Sequence, residues 1–192
     1  METSDYANGV ATDSSGNVYV TGGTKGGLDG NTSAGNTDLF VVKYNSSGTK
    51  QWTKQLGSSG LDSANGITID SSGNVYVTGV TFGGLDWNTS AGANDLFVVK
   101  YNSSGTKEWT EQLGSASSDS ANGIATDSSG NVYVAGVTYG ELDGNSNMDN
   151  ADLFVVKYNS SGTKQWTKQL GSSSRDYDYG VAQKPSKKNP SF

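Results

Sequence analysis

The chain contains no cysteine. That excludes a disulfide framework, a zinc–thiolate site and a thiol nucleophile. It contains no histidine either, so the commonest general base, proton shuttle and metal ligand is missing. Arg175 is its single arginine, and the net charge is -6. An acidic chain so poor in arginine is a poor binder of nucleic acid and of anionic membranes. No apolar run approaches the roughly 20 residues of a spanning helix, so membrane insertion is not expected. The opening residues Met1 to Asp5 lack a basic n-region and an apolar h-region, and no signal peptide is expected in this chain. Proline is scarce at 2, and both prolines lie after residue 183. Low hydrophobicity can signal disorder, but disorder usually comes with heavy charge and few aromatics. Here charged residues are only 17% and aromatics reach 10%, so a core can be built if apolar residues are used economically.

What the chain has in abundance is repetition, the first thing to seek in a sequence. Asp5-Tyr6-Ala7-Asn8-Gly9-Val10 returns as Asp62-Ser63-Ala64-Asn65-Gly66-Ile67 and as Asp119-Ser120-Ala121-Asn122-Gly123-Ile124, a period of 57 residues. Tyr19, Tyr76 and Tyr133 keep the period, as do Phe40, Phe97 and Phe154, and Trp52, Trp109 and Trp166. Three ungapped copies run over 5–61, 62–118 and 119–175. A fourth starts over 176–182 as a candidate closing strand, and 183–192 reads as a non-repeat tail.

Each copy divides into four short strands, A to D. In the first they are Gly9 to Thr12, Val18 to Thr21, Leu39 to Tyr44 and Lys50 to Leu56. Asp13-Ser14-Ser15-Gly16-Asn17 and Asn45-Ser46-Ser47-Gly48 are tight turns, with Gly free to take positive φ and Asp or Asn free to bond the local backbone. Nothing shows a helical period, so the fold class is all-β. Strand C carries Leu39 and Val41 on one face and Phe40, Val42 and Tyr44 on the other. A strand apolar on both faces must be covered on both. Strand D alternates Gln and Thr with Trp and Leu, as an outer edge does. A four-stranded antiparallel meander sandwiched between its own copies is a propeller blade. The rival architectures are a β-trefoil and a β-prism, each of three four-stranded units.

Asn65-Gly66-Ile67, then Asp70-Ser71-Ser72-Gly73-Asn74-Val75-Tyr76-Val77-Thr78-Gly79, then Asp95, Phe97-Val98, Lys100-Tyr101-Asn102, Gly105, Trp109 and Leu113-Gly114 closely resemble the SBBP-type (seven-bladed) β-propeller repeat family. The resemblance runs from residue 5 to about 182. It implies a propeller fold and an extracellular or cell-surface setting. It leaves function open, because propellers host many unrelated activities.

Three blades cannot close a ring, which takes about 4–8. Each end blade exposes an apolar flank, and sealing ~400–600 Å² of it is worth on the order of 10–15 kcal/mol gross. The expected partner is therefore the chain itself, with two copies giving six blades or three giving nine. Tyr19, Phe40, Tyr76, Phe97, Tyr133 and Phe154 are the expected inter-blade packing residues.

The A–B and C–D turns belong on one face of a blade, and the B–C and D–A loops on the other, where propellers carry binding. The copies diverge in the B–C loops, 24–37, 81–94 and 138–151. Lys25, Phe82 and Tyr139 share one repeat position, Gly30, Trp87 and Gly144 another, and Ala34, Ala91 and Met148 a third. Phe82, Trp87 and Tyr139 could stack on a sugar; the alternative is that they pack over the loops. Asp143, Asn145, Asn147 and Asp149 alternate as oxygen donors do in a calcium loop, although Met148 stands where an EF-type loop needs Gly and no closing Glu follows. Local turn formation is the alternative, and Asp13, Asp70 and Asp127 are read as turn-formers outright. No cofactor is expected, with calcium the one candidate ion. Catalysis without His or Cys would rest on carboxylates, and no pair of acids at glycosidase spacing stands out. The expected function is a non-catalytic, self-associating scaffold or surface-binding module. A carbohydrate-binding or calcium-dependent adhesive module comes second, and a carboxylate-based hydrolase is the weakest reading.

Overall fold

A computed structural model describes residues 4–148, 150–173 and 176. The chain forms three separate four-stranded antiparallel sheets, each inside one repeat. The first holds β1 (Asp5–Thr12), β2 (Val18–Thr24), β3 (Asp38–Tyr44) and β4 (Lys50–Leu56) in sequence order. The second holds β5 (Asp62–Ile69), β6 (Val75–Thr81), β7 (Asp95–Tyr101) and β8 (Lys107–Leu113). The third holds β9 (Asp119–Thr126), β10 (Val132–Thr138), β11 (Asp152–Tyr158) and β12 (Lys164–Leu170). The only helical pieces among the described residues are three short 3-10 turns, Leu28–Gly30, Leu85–Trp87 and Leu142–Gly144. Separate meanders packed flank to flank are propeller blades; a trefoil or prism would have wrapped the units around one shared axis of sheet.

The first and second strands run further than their apolar cores alone indicate. A bulge makes this possible: Asn8 and Asn65 are skipped in the pairing of β1 with β2 and of β5 with β6, and Asn122 is skipped in β9. Opposite the first bulge the backbones close in, so that a Cβ on Gly22 would lie 1.9 Å from the Tyr6 carbonyl oxygen. Only glycine fits there, and the ladder can then continue to Asp5 and Thr24.

β5 touches β1, β2 and β3 on one side and β9 on the other, which puts the first strands side by side at the centre. The half-polar fourth strands stand at the periphery. Two apolar layers hold the blades together. Tyr19, Leu39 and Val41 of the first blade pack with Val75, Val77, Leu85, Phe97, Val99 and Tyr101 of the second. The opposite face of the second blade, with Tyr76, Leu96 and Val98, packs with Val132, Val134, Leu142, Phe154, Val156 and Tyr158 of the third. Every residue of β7 is buried, as a strand apolar on both faces requires.

The start of a fourth repeat, 176–182, and the tail lie outside the described residues apart from Asp176. Its N–H donates to the Ala151 carbonyl at 3.1 Å, as Asp62 does to Thr37 at 2.7 Å and Asp119 to Asn94 at 2.9 Å.

Candidate functional site

The flanks at the two ends of the stack repeat the surfaces buried inside it. On the first blade the free flank carries Val18, Val20, Leu28, Phe40, Val42 and Tyr44. Val18, Val20, Leu28 and Tyr44 are half-buried there, while their counterparts Val75, Val77 and Leu85 are wholly buried. A recess of about 320 Å³ opens among Val20, Leu28, Phe40, Val42 and Tyr44, edged by Asp5, Asp29, Lys50 and Thr53. On the third blade the outer flank, which no other blade among the described residues covers, carries Tyr133, Leu153, Val155, Trp166 and Leu170. Leu153 and Val155 are half-buried, whereas Leu39, Val41, Leu96 and Val98 at the same repeat positions are wholly buried. Leu170 is 73% exposed, while Leu56 and Leu113 pack against the two apolar layers. The six residues assigned to inter-blade packing thus divide. Tyr19, Tyr76, Phe97 and Phe154 lie inside the two layers, Phe40 lines the recess, and Tyr133 faces the free flank of the third blade beside Trp166 and Lys157.

Polar contacts stitch the covered junctions. The bulge asparagines reach across: Asn8 Nδ2 donates to the Ala64 carbonyl and Asn65 Nδ2 to the Ala121 carbonyl, both at 2.9 Å. At the rim, Lys43 Nζ donates to the Ser103 carbonyl and Lys100 Nζ to the Ser160 carbonyl, both at 3.3 Å. Each lysine also lies over a tyrosine ring, Lys43 over Tyr19 and Lys100 over Tyr76. Trp52 covers the turn at Gly105 and Trp109 the turn at Gly162, so closely that a Cβ on either glycine would meet indole carbon at 3.0 Å. These bridging residues are the part that the sequence reading missed. Their signal was an asparagine in the middle of an inner strand and a tryptophan at constant spacing on an outer one.

The turns on the Lys–Trp side behave as the residue types dictate. Asp13 Oδ1 accepts from the backbone of Ser15 and Asn17 at 2.9 and 3.0 Å, and Oδ2 from the Tyr19 hydroxyl at 3.0 Å. Burial raises its proton affinity, but the bonds from Asn17, Tyr19 and Ser15 outweigh that and hold the carboxyl below its ordinary value; Asp127 is held low in the same way by Asn131, Ser129 and Tyr133. Desolvation in turn pushes the Tyr19 and Tyr76 hydroxyls above the ordinary tyrosine range, with Asp13 and Asp70 adding to it.

On the opposite face each B–C loop is pinned by one glutamine and one ion pair. Gln55 Oε1 accepts from Leu28 N at 2.8 Å, and its Nε2 donates to Gly26 O at 3.0 Å and to Asp38 Oδ2 at 2.8 Å. Gln112 and Gln169 repeat the arrangement. Asp29, Asp86 and Asp143 take left-handed φ of 60, 53 and 55° and pair with Lys50, Lys107 and Lys164. The loops are therefore one scaffold with variable tips. Phe82, Trp87 and Tyr139 are all exposed, Phe82 and Tyr139 at the start of their loops directly after the second strand and Trp87 in the 3-10 turn, and no ring contact joins them among the described residues. Trp87 is 99% exposed and holds φ of 70°, the left-handed conformation that Gly30 and Gly144 take in the other loops. For a bulky side chain that backbone is strained.

Of the four calcium donors read from the third loop, Asp149 lies outside the described residues. Asn145 Nδ2 donates to Leu142 O at 2.9 Å and Asn147 Nδ2 to Gly140 O at 3.2 Å. The Asp143 carboxylate is pushed up by burial, but pairing with Lys164 brings it below its ordinary value. Among the described residues no three acidic groups gather where they could hold a metal ion.

The geometry defines a module of β-blades stacked flank to flank, with apolar junctions, a stitched rim and variable loops at the other end. Residues 2–29, 51–86 and 108–143 match the model of the family described as Beta-propeller repeat, together more than half of the chain. The chain belongs to the β-propeller repeat family. The second and third matches run from an outer strand through the first two strands of the next blade, so the family's sequence unit is offset from the structural one. Similarity extends to the "Regulatory protein FlaEY" of Caulobacter vibrioides, 26% identical over 186 residues, which covers 86% of this chain and 20% of that protein. It extends also to an uncharacterized WD repeat-containing protein of Acanthamoeba polyphaga mimivirus, 26% identical over 174 residues, covering 76% of this chain and 12% of that protein. The chain spans about a fifth and about an eighth of these relatives.

Proposed function

We propose that the chain is a non-catalytic blade scaffold that associates with itself, head to tail, to complete a propeller ring. One observation carries this reading: the two free flanks present the same residues, at the same repeat positions, as the two halves of the junctions already closed. The recess on the first blade is lined at the same repeat positions as the surfaces that Leu39 and Val41, or Leu96 and Val98, meet elsewhere in the molecule. Leu153, Val155 and Leu170 are its natural occupants. Two copies give six blades and three give nine. Six lies within the range of propellers and nine beyond it; seven is not reachable from threes. The likeness to a regulatory protein and to a WD repeat-containing protein, both far longer than this chain, supports a scaffolding role rather than catalysis. The setting that goes with this reading is the cell exterior or surface. Sedimentation equilibrium tests it: a particle of two chains is expected, and a folded, monodisperse single chain at tens of micromolar overturns it.

One further observation favours a second role on the loop face. A fully exposed Trp87 kept in a strained backbone is the kind of outlier that points to ligand contact. An indole face suits a sugar ring. Phe82, in the same loop, and Tyr139, in the next, are exposed as well and extend the apolar character of that face. Calcium has weaker support, since Lys164 already neutralises Asp143. Trp87→Gly is expected to stabilise the fold by about 1 kcal/mol, by removing a left-handed non-glycine residue, while abolishing glycan retention on an array. Retention that survives the substitution removes this second role.

A further inference from the structure

At each covered junction the blade rim carries a directional contact. A tryptophan on the outer strand of one blade lies on the C–D turn of the next, and a lysine from the third strand reaches a serine carbonyl in that same turn. Trp109 adds a bond from Nε1 to the Ser160 carbonyl at 3.4 Å. Both halves of this contact are present once more, at opposite ends of the stack. Trp166 is 39% exposed, whereas Trp52 and Trp109 are only partly so and pack against the apolar layers. Gly48 holds φ of 79°, like Gly105 at 81° and Gly162 at 87°. A Cβ on Gly48 would meet nothing within 4 Å, where one on Gly105 or Gly162 would strike a tryptophan at 3.0 Å. Lys157 lies over the Tyr133 ring at 5.4 Å, as Lys43 and Lys100 lie over theirs at 5.1 and 5.5 Å.

We infer that Trp166 of one copy seats on the Asn45-to-Gly48 turn of a second copy, with Lys157 donating to the Ser46 carbonyl there. This rests on the self-association proposed above and names what fixes its direction. The apolar flanks supply area but little orientation. The rim contact supplies polarity, because the indole is on one end of the stack and the bare turn on the other. A face-to-face pairing of like flanks would leave both unused. It also supplies register, because a Cβ in that turn would strike the indole at 3.0 Å, so the ring fits closely only over a glycine.

The test compares the full chain with three variants by sedimentation over a concentration series. Trp166→Ala removes the ring. Gly48→Asn keeps the turn, since Asn accepts left-handed backbone, but fills the seat. Gly144→Asn is the control: it too has positive φ and open space around its Cβ position, yet lies in a B–C loop away from the rim. Both rim variants are expected to weaken association by on the order of 30-fold, the scale of a central tryptophan at an interface, with circular dichroism and urea midpoint close to those of the parent. The control is expected to associate as the parent does. If the parent associates and both rim variants do so equally well, the rim contact is wrong and self-association stands. If the parent remains a single chain throughout, both fall together.

Discussion

The second blade and the two that flank it have nearly the same sequence and different surroundings. Leu96 and Val98 are wholly buried, while Leu153 and Val155, at the same repeat positions, are half-buried. Val77 is wholly buried and Val20 is not. Identical residues thus contribute to cohesion in one place and wait uncovered in another. The comparison teaches that blade sequence encodes a junction rather than a blade. A single repeat supplies one half of a contact on each flank, and the half has value only when its complement is present.

The largest effect is expected where this comparison is sharpest. Val98→Asp places an unpaired carboxylate inside the junction between the second and third blades, and should cost more than about 4 kcal/mol, enough to unfold the chain. Val155→Asp makes the same change at the same repeat position on a free flank. It should cost the single chain no more than about 1 kcal/mol while abolishing association. Urea denaturation with sedimentation on both variants separates the two. Equal destabilisation by the two substitutions, in samples dilute enough to hold single chains, would break the distinction between covered and free flanks.

A smaller effect is expected from the asparagine stitches. Asn8→Ala and Asn65→Ala each leave a carbonyl across the junction, that of Ala64 or Ala121, without its side-chain donor. Each should lose about 1–2 kcal/mol in urea denaturation. The two losses should match, because the first and second junctions repeat the same geometry. A loss of a few tenths at either would mean that water replaces the amide without penalty and that apolar burial alone holds the blades.

How much of this was legible beforehand follows from what each residue must satisfy. Strand C announced itself as doubly covered because Leu39 and Phe40 alternate faces and neither is polar. That a blade needs neighbours came from the same residues. The turns were legible because Asp13 and Asn45 bond their own backbones, which is a local matter. Contacts between repeats were not. Asn8 falls just outside strand A as read from the sequence, and its partner is 56 residues away. Gln55 reads as an exposed edge residue, yet it pins the B–C loop through Leu28 and Asp38. The B–C loops show the reverse difficulty. Phe82, Trp87 and Tyr139 stood out by differing between copies, but the strain at Trp87 is a backbone property that no residue count reveals.

The smallest effect is one of proton linkage, and it sets the junctions against the turns once more. Asp62 and Asp119 are wholly buried beside the blade junctions. Burial raises their proton affinity above the ordinary value of 3.8, more than bonds from Thr81 and Ser58, or Thr138 and Ser115, lower it, and Asp38 or Asp95 nearby adds to the rise. Asp13 and Asp127, in the turns, are shifted the other way from the same 3.8. The signs then oppose. Between neutrality and 3.8 the folded chain holds protons at Asp62 and Asp119 that the unfolded chain has released, so acidification through that interval strengthens the fold. Below 3.8 the unfolded chain takes up protons that Asp13 and Asp127 refuse while folded, so further acidification weakens it. The urea midpoint should therefore rise slightly on leaving neutral pH, pass a shallow maximum at mildly acidic pH, and fall beyond it. Carboxyl carbon chemical shifts followed through the titration should place Asp62 and Asp119 above, and Asp13 and Asp127 below, the ordinary aspartate. A midpoint that only falls on acidification would mean that the junction carboxylates are better solvated than their burial implies, and that water enters the seams between blades.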